Sequence, residues 1–129
     1  MNDDIPAEVR QFINRHIECS EQVEILVLLS SAPEHFRTVE DIYTQVLTSP
    51  DSVSRRLESF CAQGLVMARK EANGRTVYQF RPARAELDTV VRQLSLLFQQ
   101  RMHRVLELIY SKPSSAIQSF ADAFRIRKD

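Results

Sequence analysis

Scarce residue types narrow the possibilities before any motif is read. Only two glycines occur in 129 residues, Gly64 and Gly74. A phosphate-cradling loop needs glycines close together, so nucleotide-binding loops of that kind are excluded. Two cysteines, Cys19 and Cys61, are too few for a disulfide framework. Both lie in helical pattern, which predicts reduced thiols in a cytoplasmic protein. No apolar run approaches the roughly 18 residues of a membrane span. The opening MNDDIPAEVR is acidic and has no apolar stretch, so no secretory signal is expected. Neither sign of charge is in excess, since 17 Lys and Arg balance 17 Asp and Glu. A neutral chain draws little affinity for DNA from non-specific attraction. His35 and His103 stand alone, and no local grouping suggests a nucleophile or a catalytic carboxylate pair. His16 and Cys19 share a helix face, but no further ligand is fixed by spacing. No enzyme, metal or other cofactor is expected, and Cys61 reads as a small structural thiol.

What is present suits one compact domain over residues 1–129, with 43% hydrophobic residues for a core. Charge is unevenly spread. Residues 1–30 hold Asp3, Asp4, Glu8, Glu18, Glu21 and Glu24 against Arg10 and Arg15. Residues 37–81 carry seven Lys and Arg against five acids. The basic excess therefore gathers in the middle of the chain, and it is small enough that two copies would be needed to bind DNA well.

Periodicity predicts a helix from Pro6 to about Cys19, with Val9, Phe12, Ile13, His16 and Ile17 on one face. Ser20 is an expected N-cap for a helix running to about Ser31. That helix is apolar nearly all round and should be central. Thr38 and Asp41 have capping-box spacing and open a short helix bearing Ile42, Tyr43 and Val46. Ser49 caps a fourth helix, with Pro50 at its first position and Gly64 as its stop. Strand-like segments follow at residues 65–71 and 75–81. A two-residue Asn73-Gly74 loop would pair Glu71 with Thr76, Arg69 with Tyr78 and Met67 with Phe80. Met67, Tyr78 and Phe80 would then face the helices, leaving Ala68, Lys70, Val77 and Gln79 outside. One long helix is expected from about Ala83 to Tyr110. Its stripe of Leu87, Val91, Leu94, Phe98, Met102, Val105 and Ile109 exceeds what a helix facing solvent should carry. At about 1.5 Å per residue it would outrun the core it covers, so part should meet a second copy. A last helix, with Phe120 and Phe124 on its apolar side, would extend that seam.

The run Ser49-Pro50-Asp51-Ser52-Val53-Ser54-Arg55-Arg56-Leu57, then Phe60 and Gly64-Leu65-Val66, resembles bacterial winged helix-turn-helix regulators of the MarR and ArsR kinds. The resemblance spans roughly residues 20–82, with residues 83–129 left as C-terminal helices for dimerisation. It implies a mainly α (α+β) fold with a two-stranded wing, an added N-terminal helix, and a long dimerisation helix plus a short terminal one. It further implies a homodimeric DNA-binding transcriptional regulator that reads a pseudo-palindrome in double-stranded DNA. The tip, Glu71-Ala72-Asn73-Gly74-Arg75, departs from the pattern by lacking the Asp-Arg-Arg of typical MarR wings.

The residue chemistry is consistent with that role. Val53, Leu57 and Phe60 would bury the inner face of the helix that Ser49 caps. Ser49, Asp51, Ser52, Ser54, Arg55, Arg56 and Ser59 lie off that face and are candidates for DNA contact. Arg55 or Arg56 suits a bidentate contact with guanine. The competing reading pairs either arginine with Asp51, Glu58 or another surface acid. Arg69, Lys70, Asn73 and Arg75 are the candidates on the wing, for phosphates or a narrow minor groove. The alternative in a different class is a winged-helix adaptor whose partner is a protein, with no membrane role in either case.

Overall fold

A computed structural model describes residues 5–111. The expected last helix, including Phe120 and Phe124 of the expected seam, lies outside the described residues. The element order is α1 (Ala7–His16), α2 (Ser20–Ser31), α3 (Val39–Val46), α4 (Pro50–Ala62), β1 (Val66–Lys70), β2 (Thr76–Phe80), α5 (Ala85–Gln100) and α6 (Met102–Ser111). Among the described residues this is a mainly helical fold with one two-stranded antiparallel sheet. No described helix is long and apolar enough to cross a membrane.

Local chemistry sets most helix ends. Helix α1 stops earlier than periodicity suggested, because Ile17 turns extended at φ −117° and ψ 123°. Helix α2 begins at Ser20 itself, with Cys19 in the N-cap position instead of Ser20. The buried Gln22 side chain organises this start. Its Oε1 accepts from the Cys19 and Glu18 backbone N–H groups, and its Nε2 donates to His16 O at 3.2 Å. Helix α3 has the expected capping box, with Thr38 N donating to Asp41 Oδ2 at 3.0 Å and Asp41 N to Thr38 Oγ1 at 3.1 Å. Helix α4 ends in a paired-bond cap: Leu65 N reaches Phe60 O at 2.9 Å and Gly64 N reaches Cys61 O at 3.2 Å. Gly64 supplies the left-handed residue at φ +79°.

The hairpin register differs by one residue from the expected one. Val66 faces Phe80, Ala68 faces Tyr78 and Lys70 faces Thr76. A two-residue turn of the type read from Asn73-Gly74 needs positive φ at both positions. Only Gly74 has it, at φ +87°. Asn73 instead accepts the Arg75 N–H on its side-chain oxygen at 3.0 Å. The loop therefore takes three residues and is closed by Glu71 N to Arg75 O at 2.7 Å. Val66 replaces Met67 on the core face, beside the buried Tyr78 and Phe80. Val77, expected outside, is buried as well. Arg37 forms an isolated antiparallel bridge to Tyr78, exchanging two backbone hydrogen bonds at 2.9 and 2.8 Å.

The long C-terminal helix is two helices. Arg101 breaks it at φ −139° and ψ 56° and receives the end of α5 through Arg101 N to Leu97 O. The break lets α6 fold back against α1, while α5 packs on α1 and α2. The stripe read as a dimer seam is consequently interior to one chain. Leu87, Val91, Leu94, Phe98, Val105 and Ile109 are all buried there, Val91 and Val105 at 0% exposure. Side chains already enclosed gain nothing from a second copy. Of that set only Met102 stays open, at 51%.

Candidate nucleic-acid interface

Helices α3 and α4 meet through a tight turn at Leu47–Ser49, giving a helix-turn-helix. Ser49 Oγ accepts the Ser52 N–H at 3.2 Å, and Pro50 occupies the first turn, where a missing N–H costs nothing. Val53, Leu57 and Phe60 are fully buried. Each contributes roughly 1.5–3 kcal/mol by leaving water. That buried inner face fixes which side of α4 points away from the protein.

The outward residues divide into two groups. Asp51 and Arg55 are exposed, and Ser49 is exposed at the cap. Ser54 and Ser59 are half-buried, and Ser59 Oγ accepts from Gln63 Nε2 at 2.9 Å. Ser52 and Arg56 point elsewhere, to Glu21 in the first turn of α2. Ser52 Oγ donates to Glu21 Oε1 at 2.7 Å, and Arg56 Nε donates to the same oxygen at 3.0 Å. Thr48 Oγ1 donates to Glu21 Oε2 at 2.8 Å. Arg56 Nη2 also lies 3.1 Å from Cys19 Sγ. The acid that engages Arg56 is thus neither Asp51 nor Glu58. Burial works to raise the Glu21 pKa, but the Ser52, Thr48 and Arg56 hydrogen bonds outweigh it and hold the carboxyl below its ordinary value. Glu24, half-buried one turn on, is pushed up by burial and by the Glu21 charge.

On the wing, Lys70, Asn73 and Arg75 are exposed at the tip. The Arg69 guanidinium instead lies over the Phe36 ring, 3.9 Å from its centre. Asp41, on α3, is held below the usual carboxylate range first by the Thr38 backbone N–H, with Arg75 and Arg37 contributing by charge. This places the wing-tip arginine in the electrostatic neighbourhood of the α3 start. Burial raises the Cys61 thiol, helped by Glu58, which favours the protonated form. The His16 ring packs tilted against that of Phe12, with ring centres 4.7 Å apart. No group of three His, Cys, Asp or Glu suited to a metal occurs among the described residues.

Sequence reading missed Glu21 as part of this site. It lies 27 to 35 residues from its three partners, so no local spacing signals the contact. Its visible feature, an acid in a first helical turn, has a sufficient explanation in the helix dipole.

This arrangement is that of a winged helix-turn-helix protein, and solved structures with the same fold bear it out. A ZitR variant from Lactococcus lactis matches with a TM-score of 0.53 at 16% identity, covering 100% of this chain and 80% of that one. MepR, a transcription regulator of the Staphylococcus aureus multidrug efflux pump MepA, matches at 0.54 and 17%, covering 94% and 87%. The homodimeric winged helix-turn-helix DNA-binding domain of Mb0332 from Mycobacterium bovis, a possible ArsR-family regulator, matches at 0.51 and 25%, covering 78% and 83%. No protein-family model matches the chain, and no curated protein does.

Proposed function

We propose that this chain is a DNA-binding transcriptional regulator, without enzymatic activity, acting as a homodimer on a pseudo-palindromic site. The observation that carries the reading is α4 itself: a capped helix, buried on one face, that presents Asp51 and Arg55 outward, followed by a wing whose exposed tip bears Lys70 and Arg75. A helix so exposed fits a major groove, and the wing cations fit adjacent phosphates. Arg55 is the side chain best placed for a guanine edge. Ser49, Ser54, Ser59 and Asn73 are secondary contacts, and Arg69 reaches the backbone only by leaving its ring. Ser52 and Arg56 act behind the surface through Glu21. The second copy sits on exposed apolar residues of the C-terminal helices, Leu96 and Met102, in place of the buried stripe. The homodimeric state of the Mb0332 domain supports pairing.

Selection of bound duplexes from a random pool tests this directly. An enriched inverted repeat is expected, with affinity falling steeply as salt rises. Arg55→Ala should weaken binding to it by about 1–3 kcal/mol, or roughly 5- to 150-fold, with stability unchanged. Absence of enrichment favours the adaptor reading, in which the same surface docks a protein. That reading draws on the zero net charge and on the loss of Ser52 and Arg56 from the outward face.

A further inference from the structure

We infer that Glu21 is the positioning residue of the reading helix, a role that rests on the function proposed above. Its carboxylate stands outside the helix-turn-helix, on α2, yet it holds that unit at three points. Thr48 lies in the turn before α4, Ser52 in the first turn of α4, and Arg56 in the second. All three donate to the two Glu21 oxygens, at 2.8, 2.7 and 3.0 Å. The Glu21 side chain is only 15% exposed and that of Arg56 30%, so the contact is shielded from solvent on both sides. Charge-assisted hydrogen bonds are the stronger kind, and three that converge on one group fix rotation as well as distance. The inner apolar face of α4 sets its depth. Glu21 sets how its N-terminal end, the part that meets base edges, is turned and held.

Electrostatics makes the inference sharp, because the two possible roles have opposite signs. An acid near a DNA-binding face repels phosphate. If Glu21 were only a surface charge, Glu21→Ala would raise the net charge by one and strengthen all DNA binding. If Glu21 positions α4, the same change weakens specific binding although the charge moves in the favourable direction.

The test compares the wild-type chain with Glu21→Ala in two measurements. The first is amide hydrogen exchange. In the variant, amides of residues 52–56 should exchange roughly tenfold faster while those of α1 and α5 keep their protection. The second is titration with the duplex enriched by the wild type and with a scrambled duplex. Specific affinity should fall roughly tenfold, while scrambled affinity holds or rises. Unchanged exchange at residues 52–56 overturns the inference, as does specific affinity rising in step with scrambled affinity. If the wild type enriches no sequence, the DNA-reading proposal fails, and the exchange measurement still decides whether Glu21 holds α4. Glu21→Gln keeps an acceptor oxygen at the same reach and should regain part of the protection. It carries the test if circular dichroism shows that Glu21→Ala does not fold.

Discussion

Leu47 occupies the turn between α3 and α4 in a left-handed conformation, φ 58° and ψ 57°, the sole non-glycine with positive φ among the described residues. Its N–H closes α3 on Tyr43 O at 3.1 Å, a bond that any non-proline residue can make. Its side chain is 88% exposed, so little apolar area is lost by removing it. The left-handed region costs an L-residue roughly 1–2 kcal/mol, through the clash of Cβ with the following carbonyl. Glycine escapes that cost but loses roughly 0.5–1 kcal/mol to the greater freedom of its unfolded chain. Leu47→Gly should therefore stabilise the protein by about 0.5–1 kcal/mol. With a urea slope near 2 kcal/mol/M, the unfolding midpoint should rise by roughly 0.3–0.5 M. Leu47→Ala retains Cβ and should show no such gain. A midpoint that falls in Leu47→Gly refutes the reasoning, because it would mean that the leucine makes stabilising contacts despite its exposure.

Three other outcomes are expected. Gly64→Ala should cost roughly 1–2 kcal/mol because φ is +79°, the added Cβ itself meeting Ala83 Cβ at an ordinary 3.4 Å contact; an unchanged urea midpoint would contradict this. Val91→Ala should cost roughly 2–3 kcal/mol at every protein concentration if α5 is core, whereas a loss that shrinks at high concentration would return Val91 to a subunit seam. Acid should destabilise the fold through Glu21 and Asp41. Both carboxyls lie below their ordinary values when folded, so their stabilisation is complete above the ordinary carboxylate range and disappears as pH falls through the lowered values. Glu24 is shifted upward and works in the opposite sense over that range. Urea midpoints across acid pH should drop less in Glu21→Gln than in the wild type.

Features set by neighbouring residues were legible in the sequence. The Thr38–Asp41 box, the Ser49-Pro50 start and the Gly64 stop each depend on atoms within a few positions, and each is present. The hairpin was readable as a hairpin, but its register depended on whether one residue, Asn73, would adopt positive φ. Its side chain instead caps Arg75, and the whole ladder shifts by one. The α5–α6 break has no proline or glycine to announce it. Arg101 leaves the helix, and beyond it α6 packs on α1 and α5 with Val105 and Ile109 buried. The site was half legible for a similar reason. Spacing along α4 identifies the outward side chains, but which of two adjacent arginines stays free depends on an acid 35 residues away.

The zero net charge has a structural explanation that changes its weight against DNA binding. Many of the acids sit in first helical turns: Glu8 in α1, Glu21 in α2, Glu40 and Asp41 in α3, Asp51 in α4, and Glu86 and Asp88 in α5. There they complement helix dipoles, and Glu21 and Asp41 also accept hydrogen bonds from named donors. Their number follows from the number of helices and says little about the reading face. The exception is Asp51, exposed at the start of α4. It repels phosphate there, yet an aspartate at that end of a recognition helix can accept a hydrogen bond from the cytosine amino group. In the proposed DNA-reading role, Asp51 beside Arg55 would trade general attraction for discrimination. Under the function proposed above, such a face would favour its own sequence over other DNA, and a second copy would supply the remaining affinity.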